Sequence, residues 1–270
     1  MVLASDKYTT WITEHLIKDK RDIDLLGMYL PSVICDHAGL SQAAQACGER
    51  GIVRGSIPGF QPYGQPGCWQ DAVCLVGIEP LILATYDDPG WVHALLDILQ
   101  ARKKQYIKSL QCTPFDIIEL GGGDASSSVI SNRIFNTFVA PYDSELIALA
   151  HDYGQRIVYH TCGGMMPILE SIADMAPDAV ETFTPPAMGG DTDLAQAKAR
   201  IGSQVCMIGG FDQFHHLLGC SPAETRQAVR ACFESAGQDG GYILCPSDHF
   251  FDADIQLLQA FADEARLCRY

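Results

Sequence analysis

An α/β barrel of the TIM type, (β/α)8, is the fold this sequence predicts, and three observations predict it. From about residue 51 onward, short and nearly continuous apolar runs alternate with longer helical patterns, as parallel strands covered on both faces require. The last four strand-to-strand spacings, roughly 20 to 40 residues, fit βα units. Reactive residue types also gather behind several different strand ends: Asp124, His160 with Cys162, Glu181, Asp212, and Cys245 with Asp248 and His249. A closed barrel brings all its strand ends to one face, whereas an open sheet gathers them only at a switch point.

Residues 1–50 read as a helical N-terminal segment, with helices over Tyr8 to Ile17, Ile23 to Tyr29 and Leu40 to Ala46. The barrel domain is expected over 51–270. Its strands are Gly51 to Ser56, Phe115 to Leu120, Gln155 to His160, Ala179 to Phe183, Gln204 to Ile208 and Gly241 to Cys245. Between them, Asp88 caps a helix that runs to Lys108 with Pro89 in its first turn. Ser131 caps a second helix, Asn132 to Tyr153. Others cover Met166 to Met175, Leu194 to Arg200 and Asp254 to Arg269, and Ser221 with Glu224 forms a capping box for the helix to Ala236. Six strands are legible where a closed barrel of this type has eight, so the first two are expected to be missing. The Gly121-Gly122-Gly123 run lacks the partners of a phosphate loop and reads as a close-packed turn. Trp69, Tyr63 and Phe60 read as core.

The formal charge of −15 argues against a nucleic-acid binder, which needs a cationic face to displace counterions. No apolar run approaches the roughly 20 residues that span a bilayer, and Met1 to Lys20 is mixed and charged rather than signal-like. Eleven scattered cysteines show no compact disulfide framework. A reducing cytoplasm is expected, with most of these thiols serving as small hydrophobes.

The stretch Tyr159-His160-Thr161-Cys162-Gly163-Gly164 carries the most chemistry. A histidine and a cysteine two positions apart at a strand tip face the same side. Together they make half of a tetrahedral zinc site, and the glycines turn the chain sharply away. Asp124 reads either as a loop anchor or as a site residue, and Glu119 as a base or an alternate ligand. Asp212 reads as an orienting group, and the adjacent His215 and His216 as surface residues.

In order and spacing, the chain from about Gly51 to its C-terminus resembles the uroporphyrinogen decarboxylase superfamily, which also holds the zinc-dependent methylcobamide methyltransferases. The residues that carry the resemblance are Gly55 to Gly67, Asp87-Asp88-Pro89, Gly123-Asp124, Ile130 to Phe135 and Ala140-Pro141-Tyr142. They continue with His160-Thr161-Cys162-Gly163, Lys198 to Gly202, Gly209-Gly210-Phe211-Asp212 and the closing loop Cys245-Pro246-Ser247-Asp248-His249-Phe250. The resemblance implies a TIM-type barrel with its site at the strand C-termini. The family's first two strands have no counterpart here. With them go the arginine-bearing segment and the aspartate that decarboxylases use on a tetrapyrrole.

The methyltransferase branch implies zinc held by His160, Cys162 and a later cysteine, for which Cys245 stands 83 positions after Cys162. Aligned on the branch's Ser-Pro-Gly-Cys step instead, Asp248 takes the ligand position, so either Cys245 or the Asp248/His249 pair completes the site. Asp124, Asp248 and His249 are the candidate catalytic residues. The activity implied is methyl transfer between a corrinoid, presented by a partner protein, or a small methylated compound, and a thiol. The alternatives are a metal-free decarboxylase-type lyase of tetrapyrrole biosynthesis and an inert truncated barrel. Unclosed strand edges favour self-association, so a homodimer is expected.

Overall fold

The computed structural model describes residues 1–61 and 64–270; Tyr63, of the aromatic trio, lies outside them. The chain folds as two compact units, one made of Met1–Ala125 with Ile130–Tyr159, the other of Ser126–Val129 with His160–Tyr270.

The first unit opens differently from the expectation. Val2–Ser5 (β1) and Thr10–Glu14 (β2) form an antiparallel hairpin, which replaces the helix expected over Tyr8 to Ile17. The run Thr10-Trp11-Ile12-Thr13 is β-branched and aromatic, residue types that favour a pleated strand over a helix. Asp6 closes the turn, its Oδ1 accepting from the amides of Tyr8 and Thr9 at 2.8 and 2.7 Å. The 1–50 segment is therefore mixed rather than helical. Its other two helices form as Asp22–Tyr29 (α1) and His37–Cys47 (α2), the latter capped by Asp36.

Arg54–Ser56 (β3) follows, then helices Cys68–Val76 (α3), Ile78–Asp87 (α4) and Pro89–Lys108 (α5). Gly77 breaks α3 from α4 at a φ of +97°, a conformation in which side-chain-bearing residues are strained. α3 is buried from Cys68 to Leu75, and no single helix among the described residues is long and apolar enough to cross a membrane. Ile117–Gly121 (β4) pairs in parallel with β3, Arg54 opposite Ile117. The expected helix from Asn132 divides into Asn132–Ile134 (α6), a π-helical turn at Phe135–Val139 and Ala140–Asp152 (α7). Pro141 interrupts the hydrogen-bond ladder there, because it has no amide to donate. Ile157–His160 (β5) is buried throughout.

Inside this unit three ionisable groups sit where charge is costly. Lys103 Nζ pairs with Asp71 Oδ2 at 2.5 Å, with each side chain 3% exposed. The ammonium also donates to Pro58 O, and Asp71 Oδ1 accepts from Phe60 N. Asp143 is fully buried and accepts from Tyr159 Oη at 3.1 Å. Burial raises its pKa to about 6. The folded state then holds that proton more tightly than the unfolded chain does. The associated stability is complete below about pH 4, the ordinary aspartate range, and is lost as pH rises through about 6. Urea titrations of Asp143→Asn should lack this part of the pH slope. Parallel slopes for variant and parent across pH 4 to 7 would show that the group does not titrate as described.

In the second unit, Leu169–Asp174 (α8), Ala179–Thr182 (β6), Leu194–Ile201 (α9), Cys206–Gly209 (β7), Gln213–His216 (α10), Pro222–Ala236 (α11), Tyr242–Ile243 (β8) and Ile255–Ala265 (α12) follow in turn. β6 pairs in parallel with β7, and β7 with β8. The Ser221/Glu224 capping box forms as expected. Phe211, Leu217, Val229 and Leu257 make a core on which Cys220, Cys232 and Cys268 pack. These thiols act as small hydrophobes, and none of the eleven cysteines, all among the described residues, forms a disulfide.

Strands β3 to β8 run in the order of the chain, each joined to the next through helical segments. This is the repeating βα plan of a TIM-type barrel, with six strands among the described residues where the closed form has eight.

Candidate metal centre

His160 ends β5, and the chain turns at once. Gly163 has a φ of +93°. A Cβ on Gly164 would lie 2.8 Å from both Ser127 Oγ and Ser128 Oγ, so a larger residue would push both hydroxyls aside. Gly164 N donates to Ser128 Oγ, and Ser127 N to Gly164 O. Asp191 Oδ1 accepts from Met165 N and Met166 N. The segment after Cys162 is thus tied down on two sides.

The donor atoms of His160, Cys162 and Asp248 lie within 4.8 Å of one another, with His160 buried and the other two half-buried. Asp248 is the third donor of this group, and Cys245 is not part of it. The reason is the path of the closing loop. β8 ends at Ile243, and Pro246 then bridges to Phe211. Ser247 N donates to Phe211 O at 2.9 Å and to Gln213 Oε1 at 3.1 Å. Pinned there, the loop presents the residue after Ser247 to the histidine, while Cys245 uses its carbonyl to accept from Phe211 N.

His160 Nδ1 lies 2.7 Å from Glu181 Oε1 on β6, and both side chains are under 10% exposed. Burial pulls the imidazole pKa down, but Cys162 and Glu181 beside it outweigh burial and raise it to about 10. Its Nε2 is buried and has no hydrogen-bond partner among the described residues. A buried ring nitrogen without a partner costs free energy, and a metal ion bound there would relieve that cost by displacing the proton the nitrogen carries. One imidazole, one thiol and one carboxylate form a donor set that suits zinc.

Asp124 sits in a 3₁₀ turn at Gly123–Ala125 of the first unit. There Gln70 clamps it: Gln70 Nε2 donates to Asp124 Oδ2 at 2.6 Å, and Asp124 N donates to Gln70 Oε1 at 3.0 Å. Trp69 Nε1 donates to its carbonyl, and Trp69 is core. Burial raises the Asp124 pKa. His249 is exposed. Glu119 pairs with Arg54 at 2.9 Å. Asp212 caps α10 and accepts from His215 Nδ1 at 2.8 Å. His215 is exposed, whereas His216 is half-buried against Phe211. Glu181 was visible as a reactive residue at a strand end, but a strand residue's partner on the neighbouring strand depends on register, which sequence does not state.

A family profile for uroporphyrinogen decarboxylase (URO-D) matches residues 66–266. Among curated proteins, the chain is similar to uroporphyrinogen decarboxylase of Chromohalobacter salexigens, with 28% identity over 164 residues, 59% of this chain and 43% of that protein. It is also similar to uroporphyrinogen decarboxylase of Psychromonas ingrahamii, with 27% identity over 203 residues, 71% and 53% of the respective lengths. The chain therefore spans about half the length of the curated relatives it matches. Among solved structures it is similar to a methyltransferase from Methanosarcina mazei, with a TM-score of 0.69 at 16% identity, covering 84% of this chain and 62% of that one. That last likeness concerns the fold.

Proposed function

Since the chain belongs to the uroporphyrinogen decarboxylase family, we propose that it is a zinc-dependent methyltransferase within it, moving a methyl group between a corrinoid, or a small methylated compound, and a thiol. The observation that carries this reading is the group His160, Cys162 and Asp248, with a buried imidazole Nε2 that has no hydrogen-bond partner among the described residues. His160 Nε2, Cys162 Sγ and a carboxylate oxygen of Asp248 would hold the ion. Their thiolate and carboxylate balance a dication, and three protein donors leave a coordination position for substrate. When bound, zinc holds a substrate thiol as thiolate at neutral pH.

The chain's own residues do the rest. Glu181 keeps the imidazole in place, and the Ser127/Ser128 cradle fixes the turn that aims Cys162. Bonds from Ser247 to Phe211 and Gln213 hold the loop that carries Asp248. His249 follows at the exposed rim, placed to exchange protons with solvent. A corrinoid protein is the methyl-carrying partner of this reading.

A second reading, a metal-free decarboxylase-type lyase acting on a tetrapyrrole, is favoured by the names of the curated relatives. Elemental analysis separates the two. About one zinc per chain is expected of the purified protein, retained in Cys245→Ser and lost in Asp248→Ala. Protein without metal that releases carbon dioxide from uroporphyrinogen would establish the second reading instead.

A further inference from the structure

We propose that the first unit carries a binding site for a small aromatic carboxylate, one ring in size, in a cavity between residues 30–33, the loop 58–60 and helix α5.

The cavity has a volume of about 150 Å³, and Leu30, Pro31, Val33, Pro58, Phe60 and Leu99 give it an apolar wall. An apolar space of that size admits a benzene-sized ring and is smaller than the roughly 300–1,000 Å³ of a site for a drug-sized molecule. Phe60 and Tyr106 among the lining side chains suit an aromatic occupant.

The protein itself holds both rims. On one side Ser32 Oγ donates to Gln105 Oε1, and Cys35 N donates to Ser109 Oγ at 2.9 Å, which ties this segment to α5. On the other, Lys103 Nζ donates to Pro58 O at 3.1 Å, and Asp71 Oδ1 accepts from Phe60 N at 2.7 Å. The buried Lys103–Asp71 pair thereby sets where the opposite wall stands. Small-molecule sites are usually preformed in this way.

Arg102 supplies the polar end of the cavity it lines. Its Nη2 donates to Leu26 O at 3.2 Å and to Leu30 O, at the C-terminal end of α1, so the guanidinium is anchored. Its Nε is buried and has no hydrogen-bond partner among the described residues. The one carboxylate on the cavity wall, Asp71, is already paired with Lys103 at 2.5 Å. Arg102 forms no ion pair among the described residues, so it remains a local cation in a chain of net charge −15. A pocket of that kind attracts an anion whatever the charge of the whole molecule. A buried donor without an acceptor is costly. A carboxylate oxygen on Nε–H would satisfy it with a charge-assisted bond, for which the planar guanidinium fork is suited.

Titration of benzoate into the full chain, with leucine and valine methyls followed by NMR, tests the site. Saturable binding is expected, with shifts centred on Leu30, Val33 and Leu99. Benzyl alcohol has nearly the same shape but no charge, and it should bind roughly 10–100-fold more weakly, the usual worth of a hydrogen bond to a charged group. Arg102→Met keeps an apolar stem and removes every donor, so it should bring benzoate down to the level of the alcohol. Because Arg102 also caps α1, a second variant leaves that contact alone. Val33→Trp puts a large ring at the half-exposed mouth and should lower benzoate affinity at least about tenfold, while the methyl spectrum stays that of a folded protein. Benzoate that fails to saturate these methyls, equal affinity for benzoate and benzyl alcohol, or unchanged benzoate affinity in Val33→Trp would each overturn the proposal.

Discussion

Changing Cys162 to serine is expected to empty the centre of zinc. Serine is nearly isosteric, but its hydroxyl stays protonated at neutral pH, so the site loses its thiolate and half of the negative charge that balances the ion. Structural zinc sites with four ligands bind with about 10–16 kcal/mol, or roughly 3 kcal/mol per ligand, which corresponds to about a hundredfold or greater loss of affinity. Elemental analysis after gel filtration in a mild chelator should read about one zinc per chain in the parent and almost none in the variant. The fold should persist, because Cys162 is half-buried and the turn after it is held by Ser127, Ser128 and Asp191. A variant that keeps full zinc content would remove Cys162 from the ligand set.

Changing Lys103 to methionine is expected to cost a large part of the protein's stability. The ammonium lies 2.5 Å from Asp71, with neither group appreciably exposed. Burial already raises the Asp71 pKa in spite of its partner. Without the lysine, a buried carboxylate must either stay charged and unpaired or take up a proton. Breaking one side of such a pair typically costs 3–5 kcal/mol. Asp71→Asn would relieve part of the cost, and the double variant should be less damaged than the sum of the singles. Thermal or urea unfolding at pH 7 measures this. A Lys103→Met protein within about 1 kcal/mol of the parent would mean the pair is not closed off from water.

These two sites differ in how legible they were. The H-x-C pair is local, because two residues of one strand end always face the same way, so spacing alone joined His160 to Cys162. Strands β4 to β7 were legible for a similar reason, since buried parallel strands write continuous apolar runs. The third member of the donor group was harder to read. Both Cys245 and Asp248 stand in the last loop, and the choice between them depended on Pro246 and Ser247 docking on Phe211, a tertiary event. The N-terminal hairpin was missed because Trp11, Ile12, Leu16 and Ile17 also fit a helical spacing, while the β-branched run at 10–13 and the Asp6 turn decided otherwise. Lys103 and Asp71 lie 32 positions apart on different helices, and nothing in either helix's own pattern names the other as partner.

The short stretch Ser126–Val129 belongs with residues that begin more than 30 positions later. The polypeptide therefore enters the second unit, leaves it, and returns. Excision at a single point cannot deliver that unit intact, since a piece beginning at His160 would leave the Gly164 amide without the Ser128 hydroxyl it is bound to. Heredity would feel the same constraint: a recombination break between the serines and the histidine separates the lock from the turn it secures, so the two are best inherited together.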